Sequence, residues 1–185
     1  MNAFPVRLKP MQCATAAVYL MVTFAAAAAT DRARAYEALE SADFEEAIIL
    51  YEELESEDGE DPRIVYNLGV AYHQTSRFDS ASEAFERAMR LAIDDPSFQA
   101  KASYNIGHAL FEQSRLNHGA DPDRSIELLR HSIQAFETAL ELQPSLESAR
   151  ENIKALKSLE GTLRRQKQER AADDSDESRS SEESK

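Results

Sequence analysis

The chain has 185 residues and a formal net charge of −13, with 42% hydrophobic and 30% charged residues. That composition supports one modest soluble core and argues against nucleic acid, whose phosphates need a clustered excess of Lys and Arg. The single cysteine, Cys13, excludes an intramolecular disulfide and a thiolate-built zinc site.

Arg7 and Lys9 precede an uncharged run from Met11 to Ala29 that ends in five alanines. A basic flank, an apolar middle and a small-residue end predict a secretory signal peptide over residues 1–29, cleaved to leave Thr30 first. Two other readings compete: a retained membrane anchor, and a buried first helix. Under either export reading the rest of the chain faces outward, in the periplasm or on the outer face of a bacterial inner membrane.

From Thr30 onward the apolar positions fall at helical spacing. Ala35, Ala38, Phe44, Ala47, Tyr51 and Leu54 predict a helical hairpin over residues 30–61. Phe44, Ala47 and Tyr51 return 34 residues later as Phe78, Ala81 and Phe85, and Pro62 returns as Pro96. A fixed period of that length marks stacked helical hairpins, each burying its apolar face on the next. In the second hairpin, residues 62–95, Gly69, Ala81 and Ala88 alternate with Tyr72, Phe78 and Phe85, which offers holes and knobs to the neighbours. Asp61-Pro62, Asp95-Pro96 and Asp121-Pro122 each set an N-cap carboxylate before a proline at the first helical position.

The third unit, residues 96–143, breaks the period, because the step from Ala88 to Ala139 is 51 residues. Leu116, Ile126, Leu128 and Leu129 give the extra stretch an apolar side, and His118-Gly119 marks its turn. The pattern predicts a hairpin with both helices about two turns longer than usual. The extension serves either a small core of its own or a projecting edge that meets a partner. Over residues 144–168, Leu146, Ala149, Ile153, Leu156 and Leu159 or Leu163 predict a capping helix, with Arg150, Lys154, Lys157, Arg164, Arg165, Lys167 and Arg170 away from the stripe. Residues 169–185 carry no large apolar side chain and are predicted to be a disordered acidic tail.

No Gly-rich phosphate loop, nucleophile elbow or metal-spaced His/Cys cluster occurs. Neither catalysis nor a cofactor is expected. His73 and His108, on the first helices of neighbouring units, are placed to approach one another, without further ligands for a metal.

Asn67-Leu68-Gly69, Tyr72, Ala81, Phe85 and Ala88 resemble the tetratricopeptide repeat at its signature positions, and Tyr104-Asn105-Ile106-Gly107 with Phe136, Ala139 and Pro144 repeat the match in two halves. Unit one is weaker, with Ala35 and Ala38 in place of the usual Gly and Tyr. The resemblance spans roughly Thr30 to Arg150 and implies an all-α solenoid of three units and a capping helix, whose first helices line a concave groove. Tyr104 to Phe111, Ala139 to Pro144 and Ala149 to Ile153 are similar to the bacterial Bat (aerotolerance-associated) repeat proteins. That resemblance implies an exported or membrane-associated protein working beside a von Willebrand factor A-type partner.

Threading onto the repeat puts Asn67, Asn105 and Asn152 at equivalent groove-facing positions. An amide that donates and accepts can hold the backbone of an extended peptide, at about 1 kcal/mol per bond; the competing reading is that the three amides bond neighbouring helices. Around them the groove would show Arg63, Tyr66, Val70 and His73 from unit two, and Lys101, Tyr104, His108 and Phe111 from unit three. Packing between units competes as the role of the tyrosines and is favoured for Phe111. The family's carboxylate-clamp subtype has Asn just after the signature Gly, where this chain has Val70 and His108. The leading expectation is a non-catalytic adaptor that binds a protein or peptide segment, and neither nucleic acid nor a small molecule. The alternative is a self-associating scaffold using its outer faces or the long third hairpin.

Overall fold

A computed structural model describes residues 30–57 and 60–183. The predicted leader and Cys13 lie outside the described residues. Among those residues there are seven helices and no strand: α1 (residues 30–40), α2 (Phe44–Glu57), α3 (Pro62–Gln74), α4 (Phe78–Leu91), α5 (Pro96–Asn117), α6 (Pro122–Leu142) and α7 (Glu147–Glu183). No described helix is long and apolar enough to cross a membrane.

The helix starts follow from their caps. Asp61 accepts from the Arg63 amide, Asp95 from the Phe98 amide and Asp121 from the Arg124 amide, all at 2.9 Å, and each precedes a proline at the first position. The turns inside the first two hairpins repeat as well. Ala42 (φ 62°) and Ser76 (φ 60°) sit 34 residues apart in the left-handed region. In each turn the next residue's amide reaches back five positions, from Asp43 to the Ala38 carbonyl and from Arg77 to the Tyr72 carbonyl, both at 2.9 Å. This is a Schellman stop, made here without the usual glycine.

Three clusters form the core, each joining a hairpin to the helix that follows it. The first packs α1 and α2 on α3 through Ala35, Ala47, Tyr51 and Leu68. In the second, Ala81, Phe85 and Ala88 of α4 meet Val65 and Tyr66 of α3 and Ala102, Ile106 and Ala109 of α5. The third joins Ile126, Leu129, Ile133 and Phe136 of α6 to Ala149, Leu156 and Leu163 of α7. Knobs meet holes as the spacing predicts: a Cβ at Gly69 would lie 2.8 Å from the Phe85 ring, and one at Gly107 would lie 2.8 Å from the Phe136 ring.

The third hairpin is lengthened as expected, with 22 residues in α5 and 21 in α6 against 13 in α3 and 14 in α4. The extra turns carry their own core, since Ile126 and Leu129 seat α7 as far as Leu163. Leu116 departs from the expected apolar side and is 70% exposed, because small polar residues make the contact between α5 and α6 here. Ser114 and Ser125 each donate to the other's carbonyl at 2.8 and 2.9 Å, and Ser132 donates to the Gly107 carbonyl at 2.6 Å.

The C-terminus also differs from expectation. α7 starts at Glu147 and is continuous to Glu183, whereas the sequence predicts a cap ending at 168 and a disordered tail from 169. Leu163 is the last side chain of α7 in the core clusters. Good helix formers such as Gln166, Gln168, Glu169, Ala171 and Ala172 prolong the backbone ladder beyond it.

Candidate functional site

The odd-numbered helices form the inner layer, and tyrosine–asparagine pairs tie α3 to α2, α5 to α3 and α7 to α5. Asn67 of α3 donates through Nδ2 to the Tyr51 hydroxyl of α2 at 3.0 Å. Asn105 of α5 donates to the Tyr66 hydroxyl of α3 at 2.5 Å. Asn152 of α7 donates to the Tyr104 hydroxyl of α5 at 3.4 Å and lies 3.5 Å from Nε2 of His108. Asn105 and Asn152 thus occupy equivalent places, each bound to the tyrosine just before the previous unit's asparagine, whereas Asn67 is bound to Tyr51 of α2. Among the described residues no hydrogen bond is formed at their amide oxygens, and those oxygens reach solvent. The amide donors are committed within the array, while the acceptors are left unpaired.

The tyrosines divide into packing and lining groups. Tyr66 is only 6% exposed. Its ring packs 5.3 Å from both Phe85 and Phe98, so it supports the groove rather than lining it, contrary to the sequence expectation. Burial pushes its hydroxyl up to about 12, against the opposing pull of the Asn105 donor. Tyr104 is half-buried, 5.2 Å from Phe136 and 4.7 Å from His108. Phe111 packs against the third cluster, as favoured. Burial raises Tyr51 above its ordinary value, with the Asn67 donor opposing and Tyr36 and Glu40 adding to the rise.

The expected basic lining is largely neutralised. Arg63 stays exposed but pairs with Asp61 at 3.2 Å, and Asp61 also receives Arg32 at 3.1 Å. Lys101 stands 4.5 Å above the Tyr66 ring, a cation–π contact. His73 and His108 are both half-buried, and burial holds both below the ordinary imidazole range. The charge of His73 depresses His108 further, so the two rings approach as the phase implies, while Glu112 opposes both shifts. Val70 is half-buried and packs against the second core cluster. Among the described residues no group of three His, Cys, Asp or Glu side chains could hold a metal.

Two residues of this face were not singled out from the sequence. Tyr36 of α1 is 54% exposed, and Glu40, one turn on, is exposed on the same side. A shift of 34 residues maps Tyr36 onto Val70, so the period itself held that signal.

Comparison with known proteins agrees with this architecture. Residues 32–96 match the tetratricopeptide repeat family model. No curated protein matches the chain. Among solved structures, the second repeat domain of human RPAP3, in complex with an HSP70 peptide, is 23% identical; the match covers 70% of this chain and 94% of that one with a TM-score of 0.57. The first repeat domain of Spaghetti (RPAP3), bound to an HSP90 peptide, is 20% identical over 71% of this chain and 91% of that one, with a TM-score of 0.58. The Yersinia enterocolitica type III secretion chaperone SycD, in complex with a peptide of the translocator YopD, is 16% identical over 75% and 92%, with a TM-score of 0.53. The likeness establishes an all-α tetratricopeptide-type solenoid.

Proposed function

We propose that this tetratricopeptide-type array is a non-catalytic adaptor that holds an extended segment of a partner protein against the concave face of α1, α3, α5 and α7. One observation carries the reading: Asn67, Asn105 and Asn152 are each fixed by a tyrosine of a preceding helix, and all three are half-buried with no hydrogen bond at the amide oxygen among the described residues. Side chains locked in this way meet a ligand at little entropic cost. Backbone N–H groups of an extended segment are suitable donors, which favours capture by backbone rather than by sequence. The peptide complexes of the structural neighbours support the same use of the fold.

The setting we propose is the bacterial envelope, with the chain exported to the periplasm or the outer face of the inner membrane. The basic and then apolar run up to Ala29 supports this, as does the resemblance to the Bat proteins, which would make a von Willebrand factor A-type protein a candidate partner. The test is site-specific photo-crosslinking in envelope extract. A crosslinker at Val70 should trap a partner that a crosslinker at the exposed Ile49 of α2 does not. Equal trapping from both positions, or none from Val70, would remove the groove reading.

A further inference from the structure

Charge is divided between the two ends of the array. Residues 30–61 hold thirteen Asp and Glu against two Arg, whereas residues 144–172 hold seven Lys and Arg against four Glu. On α2, Glu46, Ile49, Glu53 and Glu57 recur at helical spacing and are all exposed, Ile49 to 57%. The ion pairs of α2 are made by Glu45 with Arg77 and Glu55 with Arg87, and Glu46, Glu53 and Glu57 enter none among the described residues. On α7, Lys154, Lys157, Gly161, Arg164 and Arg165 form a second exposed stripe. Lys157 pairs with Glu137 and Arg164 with Glu160, while Lys154 and Arg165 enter no ion pair among the described residues. A glycine inside an exposed helix forfeits helix stability. A Cβ at Gly161 would meet nothing within 4 Å, so no contact among the described residues requires a glycine there.

We infer that this stripe of α7 docks head to tail on the outer face of α2 in a second copy of the chain. Laid antiparallel, with Ile49 of one copy over Gly161 of the other, the two helices bring Glu46 to Arg164 and Arg165, Glu53 to Lys157 and Glu57 to Lys154. The intervals from Glu46 to Glu57 and from Lys154 to Arg165 are equal, about 16 Å each, so opposite charges stay in step along the contact. The glycine lets the two backbones approach, and the isoleucine gives the contact an apolar centre with a charged rim. The two faces differ, so the contact is heterologous and leaves one of each free for further copies. The groove is not involved: Gly161 lies about two and a half turns from Asn152, on the opposite side of α7.

Sedimentation velocity on the full chain over a range of concentrations is the experiment. Association should rise with concentration and weaken with added salt. Glu46→Lys with Glu53→Lys, and separately Lys154→Glu with Arg165→Glu, should each weaken it about tenfold. All four side chains are exposed, so the core is left intact, and circular dichroism should show unchanged helicity. Mixing the two double variants should restore association, because each reversed face meets its complement on the other protein. Gly161→Gln improves the helix but fills the gap, and should also weaken association. A crosslinker at Ile49, which traps no groove partner, should trap α7 of a second copy. A strict monomer, association indifferent to both charge reversals, or double variants that fail to combine on mixing overturns the inference. Each of these results leaves the groove reading to its own test at Val70.

Discussion

The Asn105 amide nitrogen lies 2.5 Å from the Tyr66 hydroxyl, and this bond ties α5 to α3 across the seam between the second and third units. It is buried on the tyrosine side, where a polar atom left without a partner is costly. Tyr66→Phe and Asn105→Ala should each destabilise the chain by about 1 kcal/mol, and the double variant should cost clearly less than their sum. Urea denaturation of the four proteins in the cycle measures the coupling; strict additivity would mean the bond contributes nothing.

The same tyrosine sets an alkaline limit. Its folded value, about 12, lies above the value of 10 it has when exposed. The unfolded chain therefore loses this proton first, and stability present below pH 10 should fall as the pH rises from 10 towards 12. Tyr72, which donates to Glu52 at 2.5 Å and is also raised to about 12, mainly by burial, adds to the same slope. Tyr66→Phe should flatten the fall in denaturation midpoints across that window. An unchanged slope would contradict the burial of this ring.

Glycines at the hairpin crossings are fixed by aromatic neighbours. Alanine at Gly69 would drive its Cβ to 2.8 Å from Phe85, and at Gly107 to 2.8 Å from Phe136. Both rings are about 1% exposed and closely packed, so they have little room to retreat. Gly69→Ala and Gly107→Ala should each cost about 1–3 kcal/mol despite the better helix propensity of alanine. Gly69→Ala combined with Phe85→Leu should recover part of what the two single changes lose when measured by thermal unfolding.

These crossings were legible because a 34-residue period puts Phe85 and Gly69 at fixed offsets, and the Asp-Pro caps because an N-cap acts within one turn. The asparagine positions were legible from phase, but their partners were not. Tyr66 and Asn105 are 39 residues apart, Tyr104 and Asn152 are 48, and their meeting depends on the superhelical angle between units. Ser114, Ser125 and Ser132 lie outside the apolar pattern, yet they are buried because each hydroxyl finds a carbonyl across the α5–α6 seam. The neutralised groove was hidden for a similar reason: Asp61 reads as a cap, while it also absorbs Arg32 and Arg63. Ala42 and Ser76 gave no turn signal, since glycine is the residue that announces a left-handed stop.

Those two turns are open to improvement. Ala42 and Ser76 hold φ near 60°, where a Cβ is strained by roughly 1 kcal/mol or more and glycine is not. Glycine also gains entropy in the unfolded chain, which offsets part of the relief. Ala42→Gly and Ser76→Gly should therefore each stabilise by a few tenths to about 1 kcal/mol, read as a rise in the urea midpoint. Ser41→Gly, one residue earlier and outside that region, serves as the control and should not stabilise.

Acid should loosen the inner layer. His73 faces Phe78 edge-on, while His108 sits between Tyr104 and Phe136 with Asn152 across the α5–α7 seam. Burial depresses both below the ordinary 6.5, the charge of His73 depresses His108 further, and Glu112 compensates only in part. The unfolded chain then binds these protons first, so stability present above pH 6.5 is lost as the pH falls through and below that value. Replacing both rings by Phe should flatten the change in denaturation midpoint between neutral pH and pH 5.5. His108 also lies within 3.5 Å of Asn152, whose Nδ2 needs an acceptor there, so a proton on Nε2 would turn that contact into donor against donor. Amide exchange on α7 should accordingly rise at low pH in the original protein and not in His108→Phe. Exchange that rises equally in both would place the acid sensitivity elsewhere than at this seam.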